Sequence, residues 1–145
     1  MLIAKKMSPE AAREELARRA DAIEGGYEMM LAYAAQGLAT DQGAANSSQL
    51  RDHLTRFDTA LTGLSQAYRE CAAALGVGPK EAIDGFLKTL DADAATTQAA
   101  LRLVLGQPGI SSQMIDNINA SIHVRALLTD VFVVDEIIKG GGPKA

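Results

Sequence analysis

The chain has 145 residues, 48% apolar and 22% charged, the composition of a single folded domain with enough length to bury a core. Aromatics are only 4% and Trp is absent, so Ala, Leu, Ile, Val and Met must fill that core, and small side chains permit close helix packing. A net charge of −4 and a pI near 5.1, with no basic patch and no basic amphipathic helix, argue against nucleic acid and membrane as partners. No apolar run approaches the length of a spanning helix, and the lone cysteine, Cys71, excludes an intrachain disulfide and fits a reducing, cytoplasmic setting.

Residues 1–7 read as a loose lead-in, too short for a signal peptide. A first helix follows, with Ser8 as its cap and Pro9 at the first helical position. Glu10, Glu14 and Glu15 suit the positive end of its dipole, and Glu14 with Arg18 and Glu15 with Arg19 are ion pairs in the favourable order. Its apolar seam steps by four and three through Leu16, Ala20, Ile23, Tyr27, Met30 and Ala34. Gly25 and Gly26 interrupt it, each at a cost of about 1 kcal/mol relative to Ala. Because the seam keeps its phase across the pair, a continuous or mildly bent helix is expected, ending at Gly37.

Residues 39–45 form a polar loop, and Asn46 with Gln49 has the spacing of a capping box. From there Leu50, Leu54, Phe57, Leu61, Leu64, Tyr68, Cys71 and Leu75 repeat without a slip. That heptad seam predicts one long helix packed lengthwise on others, with Gly76 just past its end. Gly76-Val77-Gly78 is a tight turn to an antiparallel neighbour. The third helix opens at Pro79 and carries Ile83, Leu87, Leu90, Ala94, Thr97, Leu101 and Val104 on its seam, with a bend or a new start marked by Asp91 and Asp93. Gly106-Gln107-Pro108-Gly109 is a break. Ser111 or Ser112 caps a fourth helix that runs to about Lys139, and residues 140–145 are a tail. The expected fold is all-α: an antiparallel four-helix bundle of long helices, one of them bent or split, in a single domain over residues 1–145.

Residues with catalytic potential fall short of a reaction. His53 and His123 do not follow a Glu by three, as a helical carboxylate-bridged metal site requires, and neither is followed by the Lys-Gly element of a phosphotransfer histidine. Asp91-Ala92-Asp93 begins like a calcium loop but lacks its Gly and Glu, and Gly76 to Lys80 lacks the spacing of a phosphate loop. Cys71 sits among alanines with no base beside it. No cofactor and no catalytic residue are expected, and no motif assigns a family. The most unusual polar group lies in the fourth helix, where Asp116, Asn117, Asn119, Ser121, His123 and Arg125 alternate with apolar residues. Asn119, His123 and Arg125, joined by Tyr27 with Glu24 and Glu28, are the candidates for a ligand site between helices.

The end of the fourth helix is apolar nearly all round. One inward stripe accounts for Val124, Leu128, Val131, Val134 and Ile138 but leaves Phe132, Val133 and Ile137 pointing elsewhere. A homodimer interface through these three residues is therefore expected, unless Leu2 and Ile3 fold back over them. Asp130, Asp135 and Glu136 stand near the negative end of that helix, where acids are disfavoured, and Arg13, Arg18 or Arg19 of the same or another chain are candidates to offset them. The expected function is that of a cytoplasmic helical protein acting through protein contacts, as an adaptor, chaperone or accessory subunit. The rival is a small-molecule binder or enzyme with a site between helices. A structural assembly component stands third.

Overall fold

In a computed structural model that describes residues 7–140, the chain folds into six helices with no strand among the described residues. They are α1 (Pro9–Ala35), α2 (Ser47–Leu61), α3 (Leu64–Leu75), α4 (Lys80–Leu105), α5 (Ser112–Ala120) and α6 (Ile122–Gly140). The all-α expectation holds, but four long helices do not: α2 with α3, and α5 with α6, each occupy a stretch expected to be one helix. The lead-in and tail fall mostly outside the described residues, although Met7 packs on the core and Gly140 still belongs to α6.

The Ser8 hydroxyl accepts the Ala11 amide and starts α1, which runs unbroken through Gly25 and Gly26. The glycine pair is a packing notch rather than a kink. A β-carbon on Gly26 would lie 2.7 Å from the Phe57 ring of α2, whereas one on Gly25 would meet His53 at an ordinary 3.5 Å. Helix α2 begins after Asn46 as expected, but no capping box forms, because the Asn46 side chain turns away to donate to Gln36.

The seam from Leu50 to Leu75 is buried throughout, yet the helix breaks inside it. Thr62 is extended and Gly63 takes a left-handed φ of +77°, a conformation side chains with a β-carbon rarely adopt. The carbonyls freed at the break are used. Arg19 of α1 donates to the carbonyls of Ala60 and Thr62, and Gln98 of α4 donates to the Asp58 carbonyl and the Thr62 hydroxyl. Helix α4 is continuous past Asp91 and Asp93. Ser111 caps α5 by accepting the Met114 amide, and extended Ser121 separates α5 from α6. There Thr97 of α4, fully buried, donates to the Asp93 carbonyl of its own helix at 2.9 Å and lies 3.4 Å from the carbonyl of His123.

Pairs across the molecule set the direction of the chain. Arg102 of α4 reaches Asp58 of α2 and Asp84 of α4 accepts from Arg69 of α3, so α4 runs antiparallel to α2 and α3. Helix α6 packs on α4 and α3, and α5 on α1, while α6 itself makes little contact with α1. The core runs between them through Ile23, Met30, Tyr33, Leu50, Leu54, Phe57, Leu87, Leu90, Leu101, Ile115, Val124 and Leu127.

At one end the loops at 36–46 and 106–111 are buckled together. The Asp41 carboxylate, 1% exposed, accepts from Arg51 Nε at 2.7 Å, from the Ser47 hydroxyl at 2.7 Å and from the Ile110 amide at 2.8 Å. Arg51 also donates to the carbonyls of Leu105, Gln107 and Pro108. The Arg51 guanidinium, more than any other neighbour, holds the Asp41 carboxyl far below the usual carboxylate range. Tyr33 donates to the Ile110 carbonyl, and Ser112 bridges the Tyr33 carbonyl and the Leu38 amide.

Candidate protein-interaction face

Helix α6 turns two different faces outward and inward. Val124, Leu127, Val131, Val134 and Ile138 are buried. Ile122, Arg125, Thr129, Phe132, Val133, Glu136 and Ile137 are exposed, and their steps of three and four residues make one continuous stripe along the helix. Within it Phe132 is 62% exposed, Val133 44% and Ile137 51%. Beside Val133 and Ile137 an apolar groove of about 220 Å³ separates α6 from the start of α4, walled by Pro79, Ala82, Ile83 and Phe86. Two of the three expected interface residues, Val133 and Ile137, line this groove, and Phe132 is exposed next to Val133 outside it.

Asp130 and Asp135 of α6 face groups other than arginines 18 and 19. Arg18 and Arg19 both pair with Glu15 on their own helix. Asp135 accepts from the Tyr68 hydroxyl at 2.7 Å. Burial raises the Asp135 carboxyl above its ordinary value, against the opposing pull of the Tyr68 hydrogen bond and of Lys139. Tyr68, buried and facing that carboxylate, is pushed well above the ordinary phenol range. Arg13 does share a groove with Asp135: a cleft of about 480 Å³ between α1 and α6, floored by Leu16, Ala17, Ala20 and Ile138 and flanked by Glu24 and Lys139. Asp130 is buried against Asp93 of α4, and one of its carboxyl oxygens has no hydrogen-bond partner. Burial first, and the Asp93 carboxyl second, push Asp130 up to about 7, so its proton is gained and lost near neutrality.

The ligand-site candidates scatter. Tyr27 is half-buried against the core, while His123 and Arg125 are exposed at the start of α6. Asn119 is half-buried, and both atoms of its amide are sealed from solvent without a partner. None of the four lines the α4/α6 groove or the α1/α6 cleft. Among the described residues no three His, Cys, Asp or Glu side chains come together to hold a metal ion, and no helix is long and apolar enough to cross a membrane. Cys71 is buried and its thiol is pushed up by that burial, the opposite of what a nucleophile requires. Reading along the sequence missed the Asp93–Asp130 pair, because residues 37 positions apart on different helices leave no local pattern (130 − 93). The chain matches no family model, no curated protein and no solved structure, so the reading of its function rests on its own residues.

Proposed function

We propose that this chain is a cytoplasmic protein-interaction module that works as a homodimer through the outward stripe of α6. The single observation carrying the reading is the exposure of Phe132, Val133 and Ile137 next to an apolar groove on the same side of the molecule. Isolated apolar residues on a surface need no explanation, but three on one helix face, continuous with a groove, do. On this reading the six helices act as four antiparallel columns, with α2–α3 and α5–α6 each a broken column, and the dimer covers the outer face of the last. The buried, unreactive Cys71 suits a reducing compartment.

Light scattering at high micromolar concentration is expected to give twice the mass of the chain, and Val133→Asp to reduce it to a monomer with unchanged helical circular dichroism. A monomeric wild-type protein overturns the proposal. A second reading, a ligand held between helices, is favoured by the α1/α6 cleft, where charges of both signs surround an apolar floor. Native mass spectrometry of the freshly purified protein distinguishes the two: a retained small molecule supports the second reading, and a bare dimer supports the first.

A further inference from the structure

We infer that two copies of this chain pair α6 against α6 in antiparallel fashion about a two-fold axis between Asp130 and Val131, with Arg125 of each copy on Glu136 of the other. The inference rests on the self-association proposed above and assigns its geometry. The exposed face carries one cation in its first half, Arg125, and in its second half the anion Glu136 with Lys139 three residues further on, and Thr129, Phe132 and Val133 lie between Arg125 and Glu136. Neither Arg125 nor Glu136 enters a salt bridge among the described residues. Eleven residues of helix separate them (136 − 125), about 16 Å at 1.5 Å per residue, too far to pair within one chain.

A two-fold axis perpendicular to the helix solves both charges at once. Parallel pairing in register sets Arg125 on Arg125 and Glu136 on Glu136, like on like. Antiparallel pairing about a point midway between the two residues sets each Arg125 opposite a Glu136, twice per dimer, because a two-fold interface repeats every contact. The same register brings Phe132 of one copy level with Thr129 of the other. Thr129 is small, and its hydroxyl already donates to the Arg125 carbonyl of its own helix, so covering it with an aromatic ring leaves no donor stranded. The two Phe132 and two Val133 side chains then form the dry centre, with charge pairs at its rim, the usual anatomy of a protein interface. Antiparallel pairing also brings the partner's Arg125 toward the negative end of the α6 dipole, where Glu136 alone is disfavoured.

Charge reversal tests the register. Sedimentation equilibrium of Arg125→Glu and of Glu136→Arg should each show a dimer dissociation constant at least about tenfold above wild type, since each reversal creates two like-charge contacts per dimer. The double variant should return to within about threefold of wild type, because both pairs are restored with their signs exchanged. Raising sodium chloride from about 0.05 to 0.5 M should weaken the wild-type dimer and relieve the single variants, as expected of screened rim charges. All three variants lie on an exposed face and should keep the wild-type circular dichroism spectrum. A dimeric wild type with no rescue in the double variant, or with single variants that bind as tightly as wild type, overturns this register and leaves the dimer standing. A monomeric wild type overturns both.

Discussion

Asp130 departs from the usual behaviour of a carboxyl for a reason visible in the packing. Its carboxyl lies between α4 and α6, shielded from water, with Asp93 as the charged group facing it from α4; across α3, Tyr68 and Cys71 turn instead toward Asp135 further along the helix. Protonated, it can donate to Asp93; ionised, two carboxylates repel in a dry seam. Its folded pKa of about 7 lies above the ordinary carboxylate value of about 3.9 in the unfolded chain. Folding therefore takes up a proton between those values. The contribution to stability is complete below pH 4 and is lost as the pH rises through 7. Urea unfolding is expected to show a falling midpoint between pH 5 and pH 8. Asp130→Asn, which supplies an uncharged donor of the same shape, should flatten that slope and raise stability at pH 8 by about 1–3 kcal/mol, the scale of relieving an unsatisfied buried polar group. A pH-independent wild type would show that the two carboxyls do not share a proton.

Elements are shaped here by what neighbouring helices need as much as by their own propensities. The glycine pair of α1 shows the distinction. Both positions cost helix stability intrinsically, yet only Gly26 lies where a β-carbon collides with Phe57. Gly25→Ala should therefore stabilise the protein by up to about 1 kcal/mol. Gly26→Ala should destabilise it by about 1–3 kcal/mol, because overpacking against a buried ring outweighs the gain in propensity. Chemical denaturation of the two single variants decides this; equal effects at both positions would mean that the α1–α2 contact relaxes freely. The break at Thr62 and Gly63 follows the same logic in reverse. The helical hydrogen bonds missing there are tolerable because Arg19 and Gln98, from helices on either side, supply donors to the open carbonyls and hydroxyl.

At the scale of the whole molecule the two ends differ. One is closed by the Asp41–Arg51 buckle and by the packing of α5 on α1. At the other, α6 diverges from α1 and leaves the cleft that Arg13, Glu24, Asp135 and Lys139 surround. The closed end depends on a carboxylate that is fully buried while its arginine remains partly in solvent. Asp41→Ala leaves Arg51 and the Ile110 amide without their acceptor, and a loss of about 2–4 kcal/mol is expected, toward the lower part of the range for a broken buried ion pair because water reaches the guanidinium. Because the Asp41 carboxyl titrates below its ordinary value, its contribution is present at neutral pH and disappears as the pH falls through its folded pKa. Thermal unfolding at pH 7 should thus separate Asp41→Ala from wild type by several degrees, and the gap should narrow in strong acid. An unchanged melting temperature at pH 7 would show that the two loops hold together by apolar contacts alone.

Periodicity carried most of the fold. Every residue of the heptad from Leu50 to Leu75 is buried, Leu101 lies on its predicted inner face, and Phe132, Val133 and Ile137 stand outside the α6 core because a single inward stripe cannot accommodate them. Those signals are local: side chains three and four residues apart share a face whatever the rest of the chain does. The tertiary structure alone decided where the seams break. The breaks at Gly63 and Ser121 fall inside in-phase seams; at the first the satisfying groups, from Arg19 and Gln98, come from other helices, and at the second Ser121 itself donates to the Ile118 carbonyl. It also decided which polar residues matter. Asp41 reads as part of a solvated loop and is buried at the centre of a network, whereas Asn117 and His123, prominent in the sequence, face water. A hydrogen bond between residues 69 positions apart, such as the Ile110 amide to Asp41, leaves no trace in the pattern of either segment, because its energy exists only once the two loops are brought together.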